Sequence, residues 1–83
     1  MKVAIRTGGL LGQYLPAGSA RNAAELELPE GTTAAGAIAR LGMPPEGGYL
    51  VIHNGAAVPK DARAACTLAD GDELAIMPPL KGG

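Results

Sequence analysis

Tyr49-Leu50-Val51-Ile52-His53-Asn54-Gly55-Ala56-Ala57-Val58 is the stretch on which the fold turns. Its first five residues form the strongest strand signal in the chain, rich in β-branched and aromatic side chains. Asn54-Gly55 follows at once. This pair accepts the left-handed backbone angles of a two-residue hairpin turn. Ala56-Ala57-Val58 then reads as a short return strand. The whole segment is a β-hairpin, and the remaining elements have to be arranged around it.

Toward the C-terminus, Pro59-Lys60-Asp61 opens an irregular stretch that runs to Cys66. Thr67-Leu68 precedes Asp70-Gly71-Asp72, whose composition marks a turn. Glu73-Leu74-Ala75-Ile76-Met77 is the last strand, with Leu74 and Ile76 on its buried face. Pro78-Pro79 ends the ladder, because neither residue has an amide hydrogen to donate.

Toward the N-terminus, Leu41-Gly42-Met43-Pro44-Pro45 reads as a helix stop. The helix before it places Ala34, Ile38 and Leu41 at i, i+4 and i+7, a single apolar stripe. Thr32 or Thr33 is suited to cap its first free amides. Gly36 weakens it by about 1 kcal/mol relative to alanine, so packing has to hold it. Ala24-Glu25-Leu26-Glu27-Leu28 alternates as a half-buried strand, and Lys2 to Thr7 does the same with Val3 and Ile5 inward. Between these two strands, Gly8, Gly9, Gly12, Pro16 and Gly18 interrupt any regular pattern and predict a long loop over residues 8–22.

The order is therefore β, β, α, β, β, β. One amphipathic helix on one face of a sheet is an α+β solution. If the first hairpin and the last strand meet in the middle of a mixed sheet, the result is a β-grasp. Residues 1–83 are expected to make a single domain, with residues 78–83 as an extended tail.

A chain of 83 residues supports one compact core and little more. That size disfavours an independent enzyme with a deep cleft. The net charge of -1 and the scattered basic residues give no basis for nucleic-acid or anionic-membrane binding. No apolar run is long enough to span a bilayer. The segment starting at Met1 does not read as a signal peptide. With one cysteine there is no internal disulfide, and a reducing cytoplasm is the expected compartment.

Other chemical candidates read as structural. Cys66 has no histidine near it in sequence and reads as a small half-buried thiol. His53 reads as a structural residue before a turn, not a ligand. Gly8-Gly9-Leu10-Leu11-Gly12 lacks the Gly-Lys-Ser/Thr ending of a phosphate loop. Turn chemistry accounts for Asp70 and Asp72 better than a cation site does, and no metal site is expected.

Three features taken together resemble one family: Asn54-Gly55 after an apolar strand, Leu68-Ala69-Asp70-Gly71-Asp72-Glu73-Leu74, and Pro78-Pro79 four residues before Gly83, which follows Gly82. The chain resembles the MoaD/ThiS family of ubiquitin-like sulfur carriers over nearly its whole length. The double proline is closer to the molybdopterin synthase small-subunit branch than to the thiamine branch. Two features depart from the family pattern. Met77 stands where an aromatic often precedes the double proline. Gly8-Gly9 and Pro16-Ala17-Gly18 argue against the short helix usual after the first strand.

The resemblance implies a carrier that is not itself an enzyme and has no cofactor of its own. Its Gly83 carboxylate would be adenylated and converted to a thiocarboxylate by a separate ATP-dependent activating enzyme. It would then give up sulfur to a synthase large subunit, most closely that of molybdenum-cofactor biosynthesis. Pro78, Pro79, Leu80, Lys81 and Gly82 would thread into the partner. Glycine lacks a Cβ and fits a narrow channel, while the prolines project the tail in an extended direction. Met77, Ala75 and Tyr49 are the residues expected to dock a partner on the helix-free sheet face. Thiamine, cysteine or tRNA thiolation, a covalent protein modifier and a plain binding module are the alternatives.

Overall fold

A computed structural model describes residues 1–16, 22–44 and 48–78. Its strands are β1 (Lys2–Thr7), β2 (Ala23–Glu27), β3 (Leu50–His53), β4 (Ala56–Ala57) and β5 (Glu73–Met77), with one α-helix, α1 (Ala34–Arg40), between β2 and β3. They form a five-stranded sheet in the order β2-β1-β5-β3-β4. β1 and β5 pair in parallel at the centre, and the other pairings are antiparallel. The first hairpin and the last strand therefore meet mid-sheet, which gives the mixed α+β β-grasp expected from the element order.

Alternation decides which face is covered. Val3, Ile5 and Thr7 of β1 point to the α1 side, as do Leu74 and Ile76 of β5 and Val51 of β3. All of these but Thr7 pack with Leu26, Leu28, Ala34, Ala37 and Ile38 into one core. The helix is short and carries Gly36, so this packing holds it, together with a cap in which the Gly36 amide donates to Thr33 Oγ1 at 3.1 Å. Gly42 lies at φ +78°, the left-handed angle that lets the chain leave the helix. Asn54 at φ +49° and Gly55 at φ +85° make the expected tight turn.

Two segments differ from their sequence-based reading. Within the predicted loop, residues Gly9–Tyr14 form a 3-10 helix, and within the stretch read as irregular, Lys60–Ala65 form another. A 3-10 turn closes with i→i+3 bonds, such as Leu11 N to Gly8 O, and needs no long apolar stripe. Glycine therefore permits it where an α-helix would be penalised. The short helix after the first strand is present despite Gly8-Gly9. The expectation at Pro16-Ala17-Gly18 lies mostly outside the described residues.

Arg63, in the second 3-10 helix, is buried. Its Nη2 donates to Tyr49 O at 2.8 Å, and its guanidinium stands 4.7 Å over the Tyr49 ring. Nε and Nη1 find no hydrogen-bond partner among the described residues. The ring face offsets part of the desolvation of this charge.

Candidate functional site

The strand that leads toward the tail is β5. Its central place between β1 and β3 fixes where Pro78 leaves the sheet. Pro78 is exposed, and Met77 before it is half-buried. Gly8 sits against this exit. A Cβ built there would stand 2.9 Å from both Met77 Sδ and Pro78 Cδ, so only glycine allows this close an approach without a shift. Pro79, Leu80, Lys81, Gly82 and Gly83 lie outside the described residues.

The face opposite α1 carries Glu73, Ala75 and Met77 of β5. Leu50 lies opposite Met77 and Ile52 opposite Ala75. Two of the expected docking residues, Met77 and Ala75, are therefore on this face. Ala75 is only 8% exposed, hemmed in by Arg6 and Ile52 on the flanking strands. Tyr49 is not on it. It shares the parity of Val51, is buried in the core and donates its hydroxyl to Pro44 O. The position beside Met77 belongs instead to Leu50, 41% exposed, the one exposed large apolar residue among those described. Correct parity counting from Val51 would have identified it. A cavity of about 410 Å³ continues this apolar region past the edge of β3, lined by Leu50, Ile52, Ala57, Val58 and Pro59 among others. The β1–β2 half of the same face is charged, and Arg6 Nε pairs with Glu73 at 2.9 Å.

At the other end of β5 is a side-chain cluster that sequence spacing did not reveal. His53 Nε2 lies 2.6 Å from Asp72 Oδ2, and His53 Nδ1 lies 3.5 Å from Cys66 Sγ. Asp72 also accepts from Asn54 Nδ2 at 3.0 Å and from the Ala69 amide at 2.8 Å. Those hydrogen bonds, from Asn54 first and then His53 and Ala69, lower the Asp72 carboxyl from its ordinary 3.8 to about 2. Cys66 is half-buried, as expected, but it is not isolated from histidine. The antiparallel register of β3 and β5 sets His53 opposite Leu74 and so brings it beside Asp72, a proximity that residue spacing cannot show.

The sheet order, the single covering helix and the exit of β5 define a ubiquitin-like β-grasp protein. A family model described as the ThiS family matches residues 15–83, and the chain belongs to that family, whose members are small ubiquitin-like sulfur carriers and modifiers. No curated protein matches the chain closely enough to count. Among solved structures, it is similar to SAMP1 from Haloferax volcanii, with 24% identity, a TM-score of 0.71 and all of both chains covered. It is also similar to a putative molybdopterin converting factor, subunit 1, from Pyrococcus furiosus, with 22% identity and a TM-score of 0.71 over 95% of this chain and 98% of that one. A third is the complex of subunits 1 and 2 of molybdopterin-converting factor from Helicobacter pylori, with 19% identity and a TM-score of 0.64 over all of both chains. At these identities the likeness is one of fold. No helix among the described residues is long and apolar enough to cross a membrane.

Proposed function

We propose that this protein is a sulfur carrier acting through the Gly83 carboxylate, most closely in molybdenum-cofactor biosynthesis. Membership of the ThiS family carries the reading. On a separate activating enzyme the carboxylate attacks the α-phosphate of ATP. Pyrophosphate leaves, and a sulfur nucleophile then displaces AMP to give the thiocarboxylate. The activating enzyme supplies the charge stabilisation for that phosphoryl chemistry. Pro78, Pro79, Leu80, Lys81 and Gly82 are proposed to thread into it, with glycine keeping the end narrow.

The apolar half of the open sheet face, around Met77, Leu50 and Ile52, is proposed to dock the partners. The Helicobacter pylori neighbour is a complex with a second subunit, which supports a synthase large subunit as the sulfur acceptor. A cytoplasmic setting, where ATP and the activating enzyme are available, belongs to the same proposal. A second reading, a covalent protein modifier, is favoured by the likeness to a small archaeal modifier protein.

Incubation with ATP, a sulfur source and a competent activating enzyme should replace one oxygen by sulfur at Gly83, read by intact-mass spectrometry. Deleting Gly83 should abolish it. Thiolation of the shortened chain, or none of the intact chain, overturns the carrier reading. Stable isopeptide conjugates on target lysines would favour the modifier instead.

A further inference from the structure

We propose that Cys66, His53 and Asp72 form a nucleophilic thiol site that attacks electrophilic divalent sulfur, the S–S bond of a disulfide or a persulfide. The proposal makes no use of the Gly83 carboxylate and stands or falls without it. Three residues distant in sequence are aligned in the order nucleophile, base and orienting acid. Cys66 Sγ is 3.5 Å from His53 Nδ1, and His53 Nε2 is 2.6 Å from Asp72 Oδ2.

The hydrogen bonding assigns the tautomer. Asp72 is held as a carboxylate, an acceptor only, by Asn54 Nδ2 and the Ala69 amide. At 2.6 Å it takes the hydrogen of His53 Nε2. This leaves Nδ1 bare, and Nδ1 is the nitrogen that faces the thiol. Were the ring turned over, Cys66 would face a C–H, and in the other tautomer it would meet an N–H; in neither case could its proton move to the ring. Asp72 is thus a positioning residue and His53 the base. The ring cannot swing away easily, since its side chain is 23% exposed and Asp72 is fixed from two other directions. Cys66 itself packs at the margin of the core and is only half-buried, so part of the residue stays open to solvent. Among the described residues no group of His, Cys, Asp and Glu is suited to hold a metal ion, and the trio is read as nucleophilic on its alignment.

The step balances without an added oxidant. His53 Nδ1 accepts the Sγ proton, and the thiolate attacks one sulfur of R–S–S–R′. The Sγ–S bond forms as S–S breaks. The Cys66 sulfur is oxidised and R′S⁻ is the reduced leaving group, which takes the proton back from the imidazolium. A disulfide leaves a mixed disulfide on Cys66, and a persulfide leaves Cys66–S–SH when its terminal sulfur is the one transferred.

The test uses the full chain with glutathione disulfide in one arm and a low-molecular-weight persulfide in the other, followed by intact-mass spectrometry. The folded chain should react faster than the same chain in urea by about a hundredfold, the lower end of what a positioned base contributes. Cys66→Ser should remove the adduct in both arms, and His53→Gln should return the rate to that of the unfolded chain. The persulfide arm reacting alone would assign the site to sulfane-sulfur transfer, and the disulfide arm alone to thiol exchange. Nitrogen-15 spectra of the His53 ring should show hydrogen on Nε2 and none on Nδ1, and Asp72→Asn should disturb that pattern. A folded chain that reacts no faster than the unfolded one, or a ring protonated on Nδ1 and bare at Nε2, overturns the proposal even if a variant fails to fold. Gly83 thiolation is not measured in either arm, so the two proposals fail separately.

Discussion

The two ends of β5 are held by different forces. At Asp72–Glu73 the hold is polar and directional. Asp72 accepts from Asn54, His53 and the Ala69 amide, while the Glu73 amide donates to Asn54 Oδ1 at 2.8 Å and Asn54 N to Glu73 O at 2.9 Å. The Ala4 amide donates to Asp72 O at 2.9 Å, tying β1 to the same corner. At Met77–Pro78 the side-chain hold is contact. Beyond the β3–β5 ladder, which pairs Met77 with Leu50, one further backbone bond, from the Gly8 amide to Ile76 O at 3.2 Å, accompanies close packing of Gly8 on Met77 and Pro78. Hydrogen bonds fix register, because a slip of one residue would break them all and turn each side chain to the wrong face. Packing fixes position without that penalty. The polar end therefore sets the strand, and the apolar end aims the chain as it leaves the sheet.

The strongest way to break the contrast is to remove the core that joins the two ends. Leu74 is fully buried between them and faces α1. Leu74→Ala leaves a cavity that a small core cannot close, and should cost about 2–5 kcal/mol. Urea unfolding monitored by circular dichroism measures it. A loss well under about 1 kcal/mol would mean that the ends are held independently of the core between them.

How much of this is visible in the sequence divides along the same line. Alternation in residues 50–53 and 73–77 reveals the strands and the inward faces of Val51, Leu74 and Ile76, since a half-buried strand must repeat every two residues. Asn54-Gly55 announces the hairpin by its backbone requirement. Asp70-Gly71-Asp72 announces a turn but not its partners, because His53 lies 19 residues from Asp72, on a different strand. The 3-10 helices at Gly9–Tyr14 and Lys60–Ala65 leave no periodic signature, being too short to need one. Tyr49 is expected on the open face although its parity with Val51 is readable and places it inward. Its ring instead covers the buried Arg63. Nothing local distinguishes Arg63 from the exposed basic residues, since its burial is decided by Tyr49. The expectation that Gly83 carries sulfur at the end of a threading tail rests on the motif and the family alone.

A smaller effect tests the polar end. Asp72→Ala removes three accepted hydrogen bonds and leaves their donors to find water. The expected cost is about 1–3 kcal/mol at neutral pH. The pH dependence has a defined sign. The Asp72 carboxyl is depressed from 3.8 to about 2 in the folded chain. Its contribution is complete above the unfolded value and is lost as pH falls from there through about 2. The difference in urea midpoint between the two proteins should therefore be full at neutral pH and shrink toward zero near the acid end of that window. A difference that persists undiminished in acid would show that the backbone of the turn, and not the carboxylate, anchors this end.

The smallest effect tests the apolar end and isolates packing from backbone preference. Gly8 has φ -125°, an extended conformation open to any residue, so Gly8→Ala introduces no dihedral strain. Its only consequence is the new methyl, 2.9 Å from Met77 Sδ and 2.9 Å from Pro78 Cδ. The Met77 thioether turns aside at little cost. The Pro78 ring is stiff and has to move with its backbone. A stability loss of about 1 kcal/mol is expected, at the low end for an overpacked site, because Pro78 is exposed and can give toward solvent. Nuclear magnetic resonance should show shifts concentrated at Met77 and Pro78, with the Asp72–Asn54–His53 corner unchanged. Shifts that spread instead to Asp72 would mean that β5 moves as a rigid rod. The two ends would then be one structural unit, and the direction in which Pro78 leaves the sheet would depend on the hydrogen bonds at the far end.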